Sequence, residues 1–179
     1  MCGDFVTPSR LLDGSEVIVR RLQPADYDAV IRLASGLTSE ENYQRFFTAH
    51  PTFIGEWALS LTAPAPGIVA VGAFECDELI GVSNYAELPQ PGNAEIAVVV
   101  AHEQHDRGVG TLLLEAVGRI AHDAGVHRFV ADVLTDNSSM RHLINDSRWP
   151  VTQHSDRAVV AIELDLDDLG TASHERGPV

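Results

Sequence analysis

Lysine is absent from this sequence: all 12 basic residues are arginine, against 26 aspartates and glutamates, and the formal net charge is −14. Proteins that bind nucleic acids or anionic membranes need a basic surface, so this charge balance argues against both kinds of partner. Without lysine the chain also has no triphosphate-binding loop of the Gly-Lys-Ser or Gly-Lys-Thr type. The acidic balance is compatible with a cationic substrate.

Cysteine pairs and long apolar runs are missing as well. Cys2 and Cys76 form no Cys-x-x-Cys pair, and the eight histidines are scattered without a His-x-x-x-His pair. The sequence therefore predicts neither a disulfide framework nor a metal site. No apolar run approaches the ~20 residues of a membrane helix, and the N-terminus lacks the pattern of a signal peptide. These absences predict a cytoplasmic protein.

The length of 179 residues and a hydrophobic fraction of 45% fit one domain. Gly, Ser, Thr and Pro are frequent in residues 1–14 and 169–179, which are expected to be flexible, and residues 15–168 are expected to form the domain. Apolar periodicity and capping signals predict a mixed α/β fold. The predicted strands cover residues 16–22, 68–74, 79–85, 94–100, 129–134 and 157–166, and the predicted helices cover residues 24–35, 38–47, 52–61, 108–124 and 137–145.

The most informative segment runs from Glu95 to Leu114. An apolar strand ends near Ala101, a polar stretch follows, and Gly108-Val109-Gly110-Thr111 (the glycine bend) begins an apolar helix. Such a bend leaves backbone N–H groups unpaired at the positive end of a helix, and glycine lets an anion approach the backbone. The segment therefore predicts a pyrophosphate site, and the helix after it implies a crossover between parallel strands.

Other phosphate-binding patterns fit the glycine bend poorly. A dinucleotide fold needs three glycines near its first strand and an acidic residue ~20 positions later. Here two glycines follow several earlier predicted elements. What remains is a phosphate-bearing cofactor whose tail extends along the preceding strand.

The residues around the bend resemble the acetyl-CoA signature of the Gcn5-related N-acetyltransferases, Arg/Gln-x-x-Gly-x-Gly/Ala. The signature reads His105-Asp106-Arg107-Gly108-Val109-Gly110 here, with His105 where Gln or Arg is usual. The element order over residues 16–166 is similar too. Four segments further resemble the acetyltransferase domain of bacterial protein-lysine acetyltransferases, namely residues 19–26, 42–47, 94–100 and 130–140. The resemblance implies the catalytic module alone, without the cyclic-nucleotide or acyl-CoA synthetase-like domain that some of those proteins carry.

The resemblance implies a particular fold and cofactor site. The fold would be a central, mostly antiparallel sheet, flanked by helices and splayed between the fourth and fifth strands, with the pantetheine arm of acetyl-CoA in the gap. For Arg107 a solvated loop cation is the alternative to a phosphate contact, and for Asn137 the alternative is a helix N-cap. The implied cofactor-binding residues are Val98, Val99, Val100, His105, Asp106, Arg107, Gly108, Val109, Gly110, Thr111, Asn137 and Met140.

The implied reaction moves an acetyl group from acetyl-CoA to a primary amine, with a protein lysine as the first choice of acceptor. An ammonium must lose a proton before it attacks, and Glu95, alone in an apolar strand, is the predicted general base. The alternative is an exposed acid at a strand end. A backbone N–H near Val98 would stabilise the oxyanion. The tyrosine that usually protonates the leaving thiolate is replaced by Ile144.

Three questions stay open at this level. The acceptor could instead be a small amine, or the chain could be an acyl-CoA-binding regulator without activity. Residues 42–47 could form a wall of the acceptor pocket or pack in the core. The sequence also does not decide whether the chain forms a homodimer.

Overall fold

The computed structural model describes residues 5–46, 51–63 and 65–170, which form one open sheet of eight strands with five α-helices. Among these helices, none combines the length and apolar character needed to cross a bilayer. The strands are β1 Val6–Arg10, β2 Glu16–Arg21, β3 Ile68–Glu75, β4 Glu78–Glu87, β5 Asn93–Val100, β6 Arg128–Leu134, β7 Val151–Asp156 and β8 Val159–Asp165. The helices are α1 Tyr27–Ser35, α2 Ser39–Phe46, α3 Ile54–Thr62, α4 Val109–Asp123 and α5 Ser138–Asn145.

The sheet is antiparallel except at one junction. Its order is β1-β2-β3-β4-β5-β6-β8-β7, and β5 pairs with β6 in parallel, as expected for strands joined through a helix. The two strands pair only over residues 93–95 and 128–130, although β5 continues to Val100 and β6 to Leu134. They therefore separate beyond Glu95. Since β5 and β6 are the fourth and fifth of the predicted strands, the predicted splay between these two strands is confirmed.

Helix α4 is fixed on the sheet by its apolar side. Val109, Leu113 and Val117 are at most 1% exposed and belong to the larger hydrophobic cluster, which also contains the sheet residues Val71 and Phe129. A second cluster joins α1 and α3 to residues of β3, β4 and β5. Because α4 packs on β3, β4 and β5, its N-terminus is held beside the end of β5.

Two edge strands were not predicted. Residues 6–10 lie in the segment expected to be flexible, where no strand was predicted, and they form β1, which pairs with β2. The predicted last strand, residues 157–166, is present as β8, but the strand before it, β7, was not predicted and pairs with it. Both extra strands lie at sheet edges, where polar residues and Pro8 are tolerated and no apolar alternation is required.

The contact between α4 and Trp149 gives a stability prediction. A Cβ added at Gly118 would overlap the Cη2 and Cζ2 atoms of Trp149, a residue that is 4% exposed. Crowding a packed core costs about 1–3 kcal/mol, more than the ~1 kcal/mol that alanine gains over glycine within a helix. We expect Gly118→Ala to lower the free energy of unfolding in urea by roughly 1 kcal/mol.

The matched background for this test is Trp149→Phe. The smaller ring removes the atoms that crowd position 118, and Trp149 Nε1 has no hydrogen-bond partner among the described residues to lose. In this background Gly118→Ala is expected to be neutral or stabilising. Equal destabilisation in both backgrounds would show that the Trp149 ring is not the cause.

Candidate active site

The separation of β5 from β6 opens a cleft of about 680 Å³. Its walls come from α2, β5, the glycine bend, the end of β6 and α5. All of the predicted site residues except Arg107 line it: Glu95, Val98, Val99, Val100, His105, Asp106, Gly108, Val109, Gly110, Thr111, Asn137 and Met140. Residues that the sequence suggested only indirectly or not at all also line it, among them Glu41, Arg45, Asp132, Ser138 and His142.

The glycine bend presents free backbone donors to the cleft. Gly108 has a φ of +86°, a left-handed conformation that glycine adopts without strain, and α4 starts at the next residue. The N–H of Leu112 donates to the carbonyl of Gly108 at 3.1 Å, so the N–H groups of residues 109–111 precede the first helical hydrogen bond. With no acidic residue in the first turn of α4, this end of the helix favours an anion.

Gly110 on α4 lies next to Leu143 of α5 in the cleft. A Cβ added there would lie 3.4 Å from both Cδ atoms of Leu143 and 3.8 Å from Cγ2 of Val100. These are ordinary contact distances, so an alanine fits while a longer side chain would extend into the space beside the bend. The small residue therefore keeps this part of the cleft open.

One edge of β5 faces the gap. Beyond Glu95, the described strands give β5 only β4 as a neighbour, through the register from Ile96↔Tyr85 to Val100↔Gly81. Alternate N–H and C=O groups on the other edge are then available to an extended ligand that pairs as a strand would. Such an edge suits a chain containing amide bonds.

Glu95 is the last β5 residue that pairs with β6, so it lies where the gap begins. Its side chain is exposed and lines the cleft. The structure thus agrees with the exposed position that the sequence left as an alternative, and it also places the carboxylate inside the candidate site. These two interpretations do not exclude each other.

Arg45 is a partly buried cation of α2 that interacts electrostatically with Glu95. Burial lowers the pKa of Arg45, and the negative charge of Glu95 acts in the opposite direction. Its guanidinium carbon lies 5.1 Å from the ring centroid of Phe46 and 5.7 Å from that of Trp57, and its Nε has no hydrogen-bond partner among the described residues. Aromatic rings therefore hold this cation in the cleft wall.

Residues 42–47 were predicted either to form a wall of the acceptor pocket or to pack in the core, and the structure shows both arrangements within α2. Gln44 and Arg45 line the cleft, whereas Phe46 packs edge-to-face on Phe53 and Trp57. Tyr43 is exposed outside the cleft, and Phe47 lies outside the described residues. Tyr85 on β4 is 1% exposed and packs near Phe129.

The side chain of Arg107 is bound to carboxylates outside the cleft. Its guanidinium donates to both carboxylate oxygens of Glu75 at 2.8 and 2.9 Å and to Asp13 at 2.6 Å. It also donates to Ser15 and Gln104. The carboxylates of Glu75 and Asp13 raise the pKa of Arg107, whose side chain is directed to these partners and does not line the cleft. Arg107 therefore fixes residues 13–15 and the β3–β4 turn against the glycine bend.

This cluster predicts a pH dependence. The hydrogen bond from Arg107 lowers the pKa of Asp13 from 3.8 to about 2, and Arg107 likewise lowers the pKa of Glu75. Depressed carboxyl pKa values stabilise the fold above the unfolded values near 4, and this stabilisation is lost as pH falls toward 2. The difference in melting midpoint between wild type and Arg107→Met is therefore expected to be largest above pH 5 and to shrink toward pH 2.

Arg10→Met is the matched control for this experiment. Arg10 pairs with Glu16 at 2.9 Å, but both side chains are more than two-thirds exposed, and such pairs contribute little. Its midpoint should follow the wild type throughout. A pH-independent difference for Arg107→Met would contradict the assigned pairing.

Asn137 caps α5 and also lines the cleft. Its Oδ1 accepts the N–H of Met140 at 2.9 Å, which caps α5, and the residue also lines the cleft. The amide N–H groups of the same side chain remain donors that the cap does not use. Ile144 is fully buried, so the position of the usual tyrosine acid does not reach the cleft.

Comparison with known proteins agrees with this geometry. Residues 30–145 match the family described as the acetyltransferase (GNAT) family. The chain is 38% identical over 185 residues to Acetyltransferase Pat of Mycolicibacterium smegmatis, covering 96% of this chain and 53% of that protein. It therefore spans about half the length of this curated relative.

Solved structures share the fold. The GNAT domain of S. lividans PAT matches with a TM-score of 0.82 and 25% identity, over 89% of this chain and 96% of that chain. The PaiA N-acetyltransferase from Thermoplasma acidophilum, solved in complex with coenzyme A, matches with a TM-score of 0.61 and 18% identity, over 83% and 98%. The splayed sheet, the glycine bend and a family match over more than half of its residues show that this chain belongs to the acetyltransferase (GNAT) family.

Proposed function

We propose that this chain transfers an acetyl group from acetyl-CoA to a primary amine, with protein lysine as the acceptor. The observation that carries the proposal is one continuous cleft that joins the free N–H groups of residues 109–111, the open edge of β5 and the carboxylate of Glu95. An anion site, a strand-like edge and a base are the three elements that such a transfer needs, and they occur here in that order.

The co-substrate would lie along this path. Backbone N–H groups of Val109, Gly110 and Thr111 would bind its pyrophosphate. The free edge of β5 would pair with its extended pantetheine arm, and the unused amide N–H groups of Asn137 would donate to the same arm. From Val100 back to Glu95 the strand spans roughly 17 Å, which brings the far end of the arm to the carboxylate. The fold is compatible with this cofactor, since the PaiA enzyme was solved with coenzyme A.

Glu95 would act as the general base. Its carboxylate would take a proton from the acceptor ammonium, directly or through water, and the free amine would attack the thioester carbonyl. A backbone N–H of β5 near Val98 would donate to the tetrahedral oxyanion. When the carbon–sulfur bond breaks, the leaving thiolate would take its proton from water, because the isoleucine at position 144 has no acidic proton to supply.

An acidic cleft supports a cationic acceptor. Exposed acids on two facing strands, Glu95 on β5 and Asp132 on β6, line the cleft, and Asp146 lies at the end of α5. This charge favours an approaching lysine side chain over an anionic amine. The four segments that resemble bacterial protein-lysine acetyltransferases support a protein acceptor over a free amino acid.

A thiol-release assay tests the proposal. Purified chain would be mixed with acetyl-, propionyl- or succinyl-CoA and with lysine peptides, small amines or a whole-proteome extract. We expect amine-dependent release of coenzyme A from acetyl-CoA with lysine-containing acceptors. Tight acetyl-CoA binding with no release on any acceptor would instead support the acyl-CoA-binding regulator, for which the missing tyrosine acid is the favouring observation.

A further inference from the structure

Three potential metal ligands meet beside the glycine bend. Glu41 Oε1 lies 2.9 Å from Nδ1 of His102 and 3.4 Å from Nε2 of His105. All three ligand atoms lie within 4.8 Å of one another. Glu41 comes from the first turn of α2, while His102 begins the 3₁₀ turn that follows β5 and His105 comes directly after that turn. The cluster therefore joins two separate elements at the rim of the cleft.

The capping box at the start of α2 fixes the orientation of the Glu41 carboxylate. Thr38 and Glu41 form a capping box, in which Oε2 of Glu41 accepts the N–H of Thr38 at 2.7 Å. This bond fixes the carboxylate and leaves Oε1 directed at the histidines. The cap therefore uses one carboxylate oxygen of Glu41, and the other lies 2.9 Å from Nδ1 of His102.

We propose that Glu41, His102 and His105 bind a divalent transition metal ion of the zinc class. Two imidazole nitrogens and one carboxylate oxygen form the ligand set of zinc sites that keep an open fourth position. Zinc bonds of ~2.0–2.1 Å at tetrahedral angles place ligand atoms roughly 3.3 Å apart, close to the two distances found here. Histidine pairs disfavour calcium and magnesium, which take oxygen ligands.

Solvent can reach the site. The side chains of His102 and His105 are 62% and 34% exposed, against 14% for Glu41, so the metal would enter from the cleft and keep water on its open side. His105 Nε2 also lies 3.2 Å from the carbonyl oxygen of Val100, and this nitrogen must be unprotonated when it binds the metal. Metal binding would then tie α2, which carries Arg45, to the turn before the glycine bend.

Calorimetry on the full, tag-free chain tests the site with zinc chloride alone, in the absence of acetyl-CoA. We expect one equivalent of Zn²⁺ to bind, with affinity reduced roughly tenfold or more in His102→Ala, His105→Ala and Glu41→Gln. Glu41→Gln keeps an oxygen for the Thr38 cap while removing the charge. Replacement of zinc by Co²⁺ should give the visible absorption of a tetrahedral site in wild type only.

His154→Ala is the matched control, since His154 is exposed on β7 away from the cleft. It should bind zinc as wild type does. Melting curves without metal confirm that each variant is folded. Undiminished zinc binding in folded His102→Ala and His105→Ala, or no saturable binding in wild type, would overturn the proposal. Neither result bears on acetyl transfer, because no step assigned to Glu95 uses this metal.

Discussion

Glu95→Gln is expected to reduce acetyl transfer by about 10²–10⁴-fold while leaving acetyl-CoA binding within twofold of wild type. Glutamine has nearly the same shape but cannot accept the proton of the acceptor ammonium. Glu95 lies where β5 and β6 separate, at the other end of β5 from the glycine bend that we propose to bind the pyrophosphate, so we expect its charge to contribute little to co-substrate binding. Thiol release measures the rate, and calorimetry with acetyl-CoA measures binding.

Asp132→Asn provides the matched control for Glu95→Gln. Asp132 is also an exposed acid that lines the cleft, but it lies on β6. The loss of one negative charge should raise the KM for a cationic acceptor without a comparable loss of kcat. Equal losses of kcat in both variants would indicate a general charge effect, and wild-type turnover in Glu95→Gln would show that another group is the base.

Gly110→Leu is expected to weaken coenzyme A binding by at least tenfold, whereas Gly110→Ala should change it much less. A Cβ at this position reaches only ordinary contact with Leu143 and Val100, but the longer leucine fills the space between α4 and α5 beside the free N–H groups. Each ~1.4 kcal/mol of lost binding free energy corresponds to tenfold in Kd. Calorimetric titration with coenzyme A alone measures the effect.

The weaker coenzyme A binding expected for Gly110→Leu should not arise from loss of folding. Alanine and leucine both favour a helix over glycine by up to ~1 kcal/mol, so neither variant should weaken α4 intrinsically. Melting midpoints of wild type and both variants should therefore be similar or higher in the variants. Wild-type coenzyme A affinity in a folded Gly110→Leu variant would contradict the position assigned to the pyrophosphate.

Local signals made part of this structure predictable. The pattern Thr38-x-x-Glu41 is the sequence signature of a capping box, and the structure contains that box. The predicted start of a helix at the glycine bend is also present, with α4 beginning directly after Gly108. The separation of β5 from β6 followed from resemblance to a family, since no periodicity encodes it. Edge strands β1 and β7 were missed because an edge strand needs no buried face and leaves no alternation to detect.

The side-chain partners could not be predicted, because they come from distant parts of the chain. Arg107 bonds to Asp13 across 94 positions and to Glu75 across 32, so the sequence showed neither contact and left a phosphate contact and a solvated loop cation as alternatives. Likewise 61 positions separate Glu41 from His102. A His-x-x-x-His pair on one helix is a different pattern, so its absence did not reveal this cluster. Spacing rules detect ligands only within one element.

A crystal structure with coenzyme A bound is the most direct test of the central claim, that the gap between β5 and β6 and the N-terminus of α4 form one acyl-CoA site. The account predicts diphosphate oxygens within hydrogen-bonding distance of the N–H groups of residues 109–111. It also predicts that the pantetheine arm pairs with the free edge of β5 and that the thiol ends near Glu95. Coenzyme A bound outside this gap, with the N–H groups of residues 109–111 left to water, would contradict it.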